Sequence, residues 1–296
     1  MRFFAPPPRL APYFTTLYRL TLHLAPGEEV TDYLQPEWAG IRLFARNGPV
    51  ARSGAGYGLD GSALIQVGGP SSLPTLFTLR ETRLWGFGFM PLGWATFVGT
   101  QACDLANWIG DGMVAQEFAA HRPLFRRLFA DQPDDEREFR IIVDHFDSLA
   151  CDHPDSRRIL AIHNGLLDPD INLVHDLAGK LHMTTRTMER LCLRHFGFTP
   201  SLLIRRQRLM RTLSAFMLDH SATWSSVIDE HYHDQSHFVR EFHQFMTMSP
   251  SEYAALDHPI LGAFLTERKR IWGSPVQTLD RPGMPAERER DFDRSV

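Results

Sequence analysis

The sequence predicts an α+β fold: a small barrel- or sandwich-like set of strands first, helices after it, and an all-helical last third. Three observations carry that expectation. Apolar and polar residues alternate over Tyr18–Leu24 and again over Leu84–Met90, the period-two signature of half-buried strands. Beyond Pro91 the apolar spacing changes to the three-and-four pattern of amphipathic helices. Residues 171–202 and 221–252 then align without a gap when the chain is shifted by fifty positions, so that one helical unit occurs twice.

Tyr18, Leu20, Leu22 and Leu24 point to one face of the first strand, with Arg19, Thr21 and His23 between them. Ile41–Phe44 and Ala63–Val67 give two more strands. In the fourth, Trp85, Phe87 and Phe89 share a face and Gly86 and Gly88 the other. That aromatic stripe is expected in the core rather than around an effector pocket. Gly/Pro/Ser clusters at 52–61 and 68–74 read as turns. Gly93–Gly99, Val114–Phe129 and Phe139–Leu149 read as helices, and Gly165–Asp170, with Pro169, as a boundary. The expected division is a strand-rich domain over 1–92, a helical connector region over 93–168, a two-unit helical domain over 169–262 and a mobile tail over 263–296.

Within the helical domain, Thr184 caps a helix whose core face is Met188, Leu191, Cys192, His195 and Phe196. Thr199 caps the next, with Pro200 at its first position. Fifty residues on, Asp234 caps a helix with Phe238, Val239, Phe242, Phe245 and Met246 turned inward, and Ser249-Pro250-Ser251-Glu252 is a capping box. Two short amphipathic helices joined by a tight turn make a helix-turn-helix pattern, here met twice.

The charge is distributed unevenly. The whole chain carries −4. Residues 180–211 hold eight Lys/Arg and one acid, whereas 212–257 hold one Arg and seven acids. Three cysteines, odd in number and far apart, form neither a disulfide framework nor a zinc knuckle. His231-Tyr232-His233 lacks the further ligands a zinc site needs, so no metal and no cofactor is expected. Neither a nucleophilic triad, a phosphate loop nor a dinucleotide-binding glycine pattern is present, and an enzyme is not expected. With no apolar run able to span a bilayer and no signal peptide in Met1–Leu10, the expected compartment is the cytoplasm.

A two-unit helical domain suits double-helical DNA. A helix of 19 residues, Pro200 to Leu218, is roughly 28 Å long at about 1.5 Å per residue. Successive major grooves on one face of B-DNA recur at about 34 Å. Residues 171–253 resemble the DNA-binding domain of AraC-type (AraC/XylS) transcription regulators. The residues that carry the resemblance are Leu177-Ala178, Thr184-x-Arg186-x-Met188-Glu189-Arg190-Leu191 and Phe196-Gly197-Phe198-Thr199-Pro200. In the second unit they are Asp234-Gln235-Ser236-His237-Phe238-x-Arg240-x-Phe242 and Ser249-Pro250-x-x-Tyr253. Tyr13-Phe14, Gly68-Gly69-Pro70 and Trp85-Gly86 to Pro91-x-Gly93 resemble, more weakly, an effector or dimerisation domain of the same family. The resemblance implies DNA contacts at Arg186, Thr187, Glu189 and Arg190, at Gln235, Ser236, His237 and Arg240, and along the connector at Arg205 and Arg206. It implies double-stranded DNA as partner, RNA polymerase if the protein activates, and leaves open a small-molecule effector and a homodimer.

The second unit departs from the family pattern. It lacks the usual glycine before Tyr232, and Val227–Asp234 is one residue short, so a strained or reshaped turn is expected there. Its net −6 supports a competing reading, in which this unit binds a protein rather than DNA.

Overall fold

The computed structural model describes residues 1–130, 132–219, 221–273 and 276–282. Its first part consists of β1 (Arg2–Phe4), β2 (Phe14–Leu22), β3 (Val30–Leu34), β4 (Ala39–Phe44), β5 (Val50–Ser53), β6 (Gly58–Asp60), β7 (Ile65–Gly68), β8 (Thr75–Leu79), β9 (Thr82–Phe89) and β10 (Ile109–Asp111). They form two antiparallel sheets: six strands in the order β1-β2-β9-β4-β7-β10, and four in the order β3-β8-β5-β6. The architecture is α+β with two sheets. The strands absent from the expectation are three to five residues long, too short to display a clear period.

Alternation along the central strands decides what each face of the large sheet meets. Leu17, Ile41, Leu43, Trp85, Phe87 and Phe89 face a helical layer made of α1 (Pro91–Phe97), α2 (Arg122–Arg127) and α3 (Asp135–Leu149). Phe146 of α3 lies edge-on to Phe87 and Phe89, with centroids at 5.4 and 5.7 Å. The aromatic stripe is therefore core. Tyr18, Leu20, Phe44 and Leu84 face the small sheet. Gly86 is required on that face, because a Cβ there would lie 2.2 Å from the Tyr18 ring. A buried carboxylate, Glu138, ties the helical layer to the sheet by accepting from Trp85 Nε1 at 2.6 Å and pairing with Arg83.

Two of the expected boundaries are displaced. β10 returns to pair with β7, and Phe118, Leu124 and Ile142 share the core of β2 and β9, so the cut expected at residue 92 falls inside one core. Long-range pairing, not local composition, holds this region together. Nor does the expected mobile tail hold for its described residues. A helix covers Leu261–Trp272, and residues 276–280 are packed with Thr278 and Arg268 fully buried. The rest of that tail, 283–296, lies outside the described residues.

The remaining helices are α4 (Ser156–Leu166), α5 (Val174–Lys180), α6 (Thr185–Phe196), α7 (Pro200–Leu218), α8 (Trp224–Val227), α9 (Gln235–Met246), α10 (Pro250–Ala254) and α11 (Leu261–Trp272). They build two further cores. Trp38, Leu92 and Ala95 of the first part pack with Ile159, Leu177, Met188, Leu191 and Phe196, which welds α4–α6 to the sheets. Around α9, Leu209, Leu213, Phe238, Phe242, Phe245 and Tyr253 form the other, joined by Leu261 and Leu265.

Candidate nucleic-acid interface

The fifty-residue echo is reproduced in the helices themselves: α6 spans 185–196 and α9 spans 235–246, while α7 and α10 start at 200 and 250. Local chemistry sets each boundary. The Thr184 hydroxyl accepts from Thr187 N at 3.2 Å and the Asp234 carboxylate from His237 N at 2.6 Å, which satisfies otherwise orphaned N–H groups. Both helices end in a left-handed residue, Gly197 at φ 84° and Thr247 at φ 59°. Glycine takes that conformation freely, whereas a β-branched threonine is strained in it.

The turns differ. In the first unit, four residues separate α5 from α6, with His182 at φ 50°. The second unit's turn is reshaped rather than strained: α8 is one turn long, and no described residue of 228–234 takes a positive φ. Asp229 organises this segment by accepting from His231 N and pairing with the His231 ring and with Arg211.

On α6, Arg186, Glu189 and Arg190 are exposed and Thr187 is half-buried; on α9, Gln235, Ser236 and Arg240 are exposed. Arg186, Arg190 and Arg194 recur every fourth residue along one side of α6, and Arg190 and Arg240 occupy the same place in the two units. None of these four arginines is ion-paired among the described residues. Sequence reading passed over Arg194; the fourfold spacing was the signal that could have found it.

Four expectations need correction. Arg206 is fully buried, with its guanidinium 4.0 Å over the Trp38 ring and Nη1 donating to Ser71 O at 2.8 Å. Burial pushes it down to about 9, and it is not on a DNA-facing surface. Arg205 is engaged by Glu241 at 2.7 Å and by Gln244. His237 is partly withdrawn, lying edge-on to Tyr232 and stacked on His233, whereas Val239, expected inside, is exposed one helical step off the Phe238–Phe242 face.

The opposite charge blocks neutralise each other. Glu241, almost fully buried on α9, accepts from Arg208 at 2.8 and 2.9 Å, from Arg205, and from the Tyr232 hydroxyl at 2.9 Å. Arg211 pairs with Asp229 at 2.8 Å, and Lys180 with Asp168. The connector's positive charge is thus largely spent inside the protein, and so is part of the second unit's negative charge. Among the described residues, no three His, Cys, Asp or Glu side chains gather as a metal site, and no helix is long and apolar enough to cross a membrane.

Residues 177–255 match a family model described as a helix-turn-helix domain. No curated protein matches the chain. Among solved structures, ToxT from Vibrio cholerae O395 is similar at 13% identity, covering 80% of this chain and 95% of that one, with a TM-score of 0.42. The same protein bound to (E)-4-(8-methylnaphthalen-1-yl)but-3-enoic acid covers 86% and 98% at 14% identity and a TM-score of 0.45. Unsaturated fatty acid bound wild-type ToxT from strain SCE256 covers 86% and 96% at 13% identity and 0.41.

Proposed function

We infer, from the match of residues 177–255 to a helix-turn-helix family model and from their resemblance to AraC-type regulators, that this protein is a sequence-specific, DNA-binding transcription regulator. In this reading α6 and α9 enter adjacent major grooves, α7 sets their separation, and the N-terminal domain controls the grip. The observation that supports it best is the pair Arg190 and Arg240, equivalent in the two units, exposed and without an ion-pair partner among the described residues, while Arg205, Arg208 and Arg211 of the connector are paired internally. An exposed arginine on such a helix can reach guanine O6 and N7 bidentately or neutralise phosphate. Arg186, Arg194, Gln235 and Ser236 extend the same contact surface, with Glu189 and Thr187 as closer-range readers. The protein acts in the cytoplasm, is not an enzyme, and works with RNA polymerase if it activates; a small-molecule effector and a homodimer fit the same scheme.

A second reading has the second unit bind a protein partner instead. The one-turn α8 favours it, since a shortened supporting helix braces α9 less firmly. One experiment separates the two. DNA fragments bound by the full chain are selected from genomic DNA, and Arg190→Ala and Arg240→Ala are measured on the selected site across a salt series. Two reading helices make both variants lose about tenfold or more, at roughly 1–3 kcal/mol per base contact. Loss in Arg190→Ala alone supports the second reading, and failure to select any fragment refutes both.

A further inference from the structure

Between the two sheets, closed on one side by α11, lies a cavity of about 80 Å³. That is room for on the order of five waters, or a compact organic molecule. Its walls are apolar: Leu20, Phe44 and Leu84 from the large sheet, Phe77 from the small one, and Phe264 and Leu265 from α11.

One end is polar but carries no net charge. Arg42 is held by Glu37 at 2.9 and 3.0 Å and donates to the Tyr18 hydroxyl at 3.2 Å. An anionic ligand would find this cation already taken, with a carboxylate beside it. Gln35 donates to the Tyr253 hydroxyl at 3.0 Å and leaves its own amide oxygen buried without a partner. The Gln277 amide oxygen is likewise buried and unpartnered, and both residues line the cavity. Buried acceptors without a donor are costly, so these two mark where a ligand donor belongs.

The wall made by α11 belongs to the segment that follows the second unit. Its start is latched to β3, where the Asp32 carboxylate accepts from Ile260 N at 2.8 Å, Leu261 N at 2.7 Å and His258 Nδ1 at 3.1 Å. Its end is latched by Arg268, paired with Asp280 and donating to Thr16 Oγ1 at 3.1 Å. Beyond it, Thr278 O accepts from Gln207 of α7 at 2.5 Å. Ile260 and Phe264 pack toward the sheets, while Leu261 and Leu265 pack into the core around α9. One helix therefore touches the cavity, the second unit and, through residues 276–280, the connector.

We propose that this cavity binds a compact, uncharged, mostly apolar molecule whose hydroxyl or N–H serves the Gln35 and Gln277 amides, and that α11 with residues 276–280 relays its presence to the helical domain. The relay, though not the binding, rests on the regulator reading. A ligand larger than the existing space displaces α11 or the lining loops before it displaces the hydrogen-bonded strands.

Hydrocinnamyl alcohol, hydrocinnamamide and hydrocinnamate share one body and differ only in the head group. Titrated against the full chain by calorimetry, the alcohol and the amide bind, and the carboxylate binds about tenfold more weakly or not at all. Gln277→Leu weakens the alcohol and the amide by about tenfold, the worth of one buried hydrogen bond. Equal or tighter binding of the carboxylate, or no binding by any of the three to the unaltered chain, overturns the ligand class whether or not the variant folds. Hydrogen exchange of the α11 amides, with and without the alcohol, reads the relay; unchanged exchange overturns it. DNA selection on the same preparation keeps the two readings apart: a chain that selects no DNA but binds the alcohol refutes the regulator reading alone.

Discussion

Glu241→Gln tests the internal cancellation of charge between the connector and the second unit. The substitution keeps the shape of the side chain and removes its charge. Glu241 is 2% exposed, and its side chain meets Arg208, itself 9% exposed at the side chain, and Arg205, which is about a third exposed. Arg205 can turn to water, so its share is about 1 kcal/mol or less. Arg208 cannot, because its guanidinium lies 4.5 Å over the Tyr232 ring and is enclosed by the core around α9. Breaking a buried pair from one side costs about 3–5 kcal/mol, since the remaining charge stays desolvated. That is a large part of the roughly 5–15 kcal/mol that holds a domain folded. Urea unfolding followed by circular dichroism, together with hydrogen exchange of the α9 amides, should show the loss concentrated in the second unit. DNA affinity, measured where the variant is still folded, should not rise. Unchanged stability, or DNA binding that tightens as though a surface repulsion had been removed, would refute the reasoning.

Three further outcomes follow from the same geometry. His121 and His163 are buried and pushed down, to about 4 and about 3, by loss of solvation first and then by His145 and Arg206 respectively. The unfolded chain binds protons near pH 6.5 that these folded sites refuse. Their contribution to stability is therefore complete above about 6.5 and lost as pH falls toward 4, by about 2 kcal/mol each at pH 5, and a melting temperature flat from pH 7 to 5 contradicts this. Thr247→Gly should stabilise the second unit by about 1 kcal/mol by relieving its left-handed backbone, as Gly197 does in the first; a destabilised α9 in exchange measurements argues against it. Arg206→Met keeps most of the volume stacked on Trp38, so it should leave DNA affinity within about twofold, and a loss matching that of Arg190→Ala would return Arg206 to the DNA surface.

Much of the local structure was legible in the sequence. The period of two in β2 and β9 and the caps at Thr184, Thr199, Asp234 and Ser249 depend on residues close together in the chain, and each boundary fell within a few residues of its expectation. The outward placement of Arg186, Arg190 and Arg240 follows from helical phase in the same way. What neighbouring residues cannot encode is which distant surface covers a given face. Arg206 and Arg190 are both arginines on basic helices, yet Arg206 is buried because Trp38 and the Ser71 carbonyl cover its side of α7, whereas Arg190 on α6 is exposed.

The sequence by itself determined the fold class, the doubled helical unit and the exposure of Arg186, Arg190 and Arg240, since propensity, capping and periodicity act over single turns and strands. Tertiary structure alone decided that the charge blocks cancel between α7 and α9, and that the segment after the second unit runs back across β3 to wall a cavity. Both rest on contacts between residues far apart in the chain, up to 252 positions for Thr16 and Arg268, where local pattern carries no signal and only the packed arrangement supplies the partner.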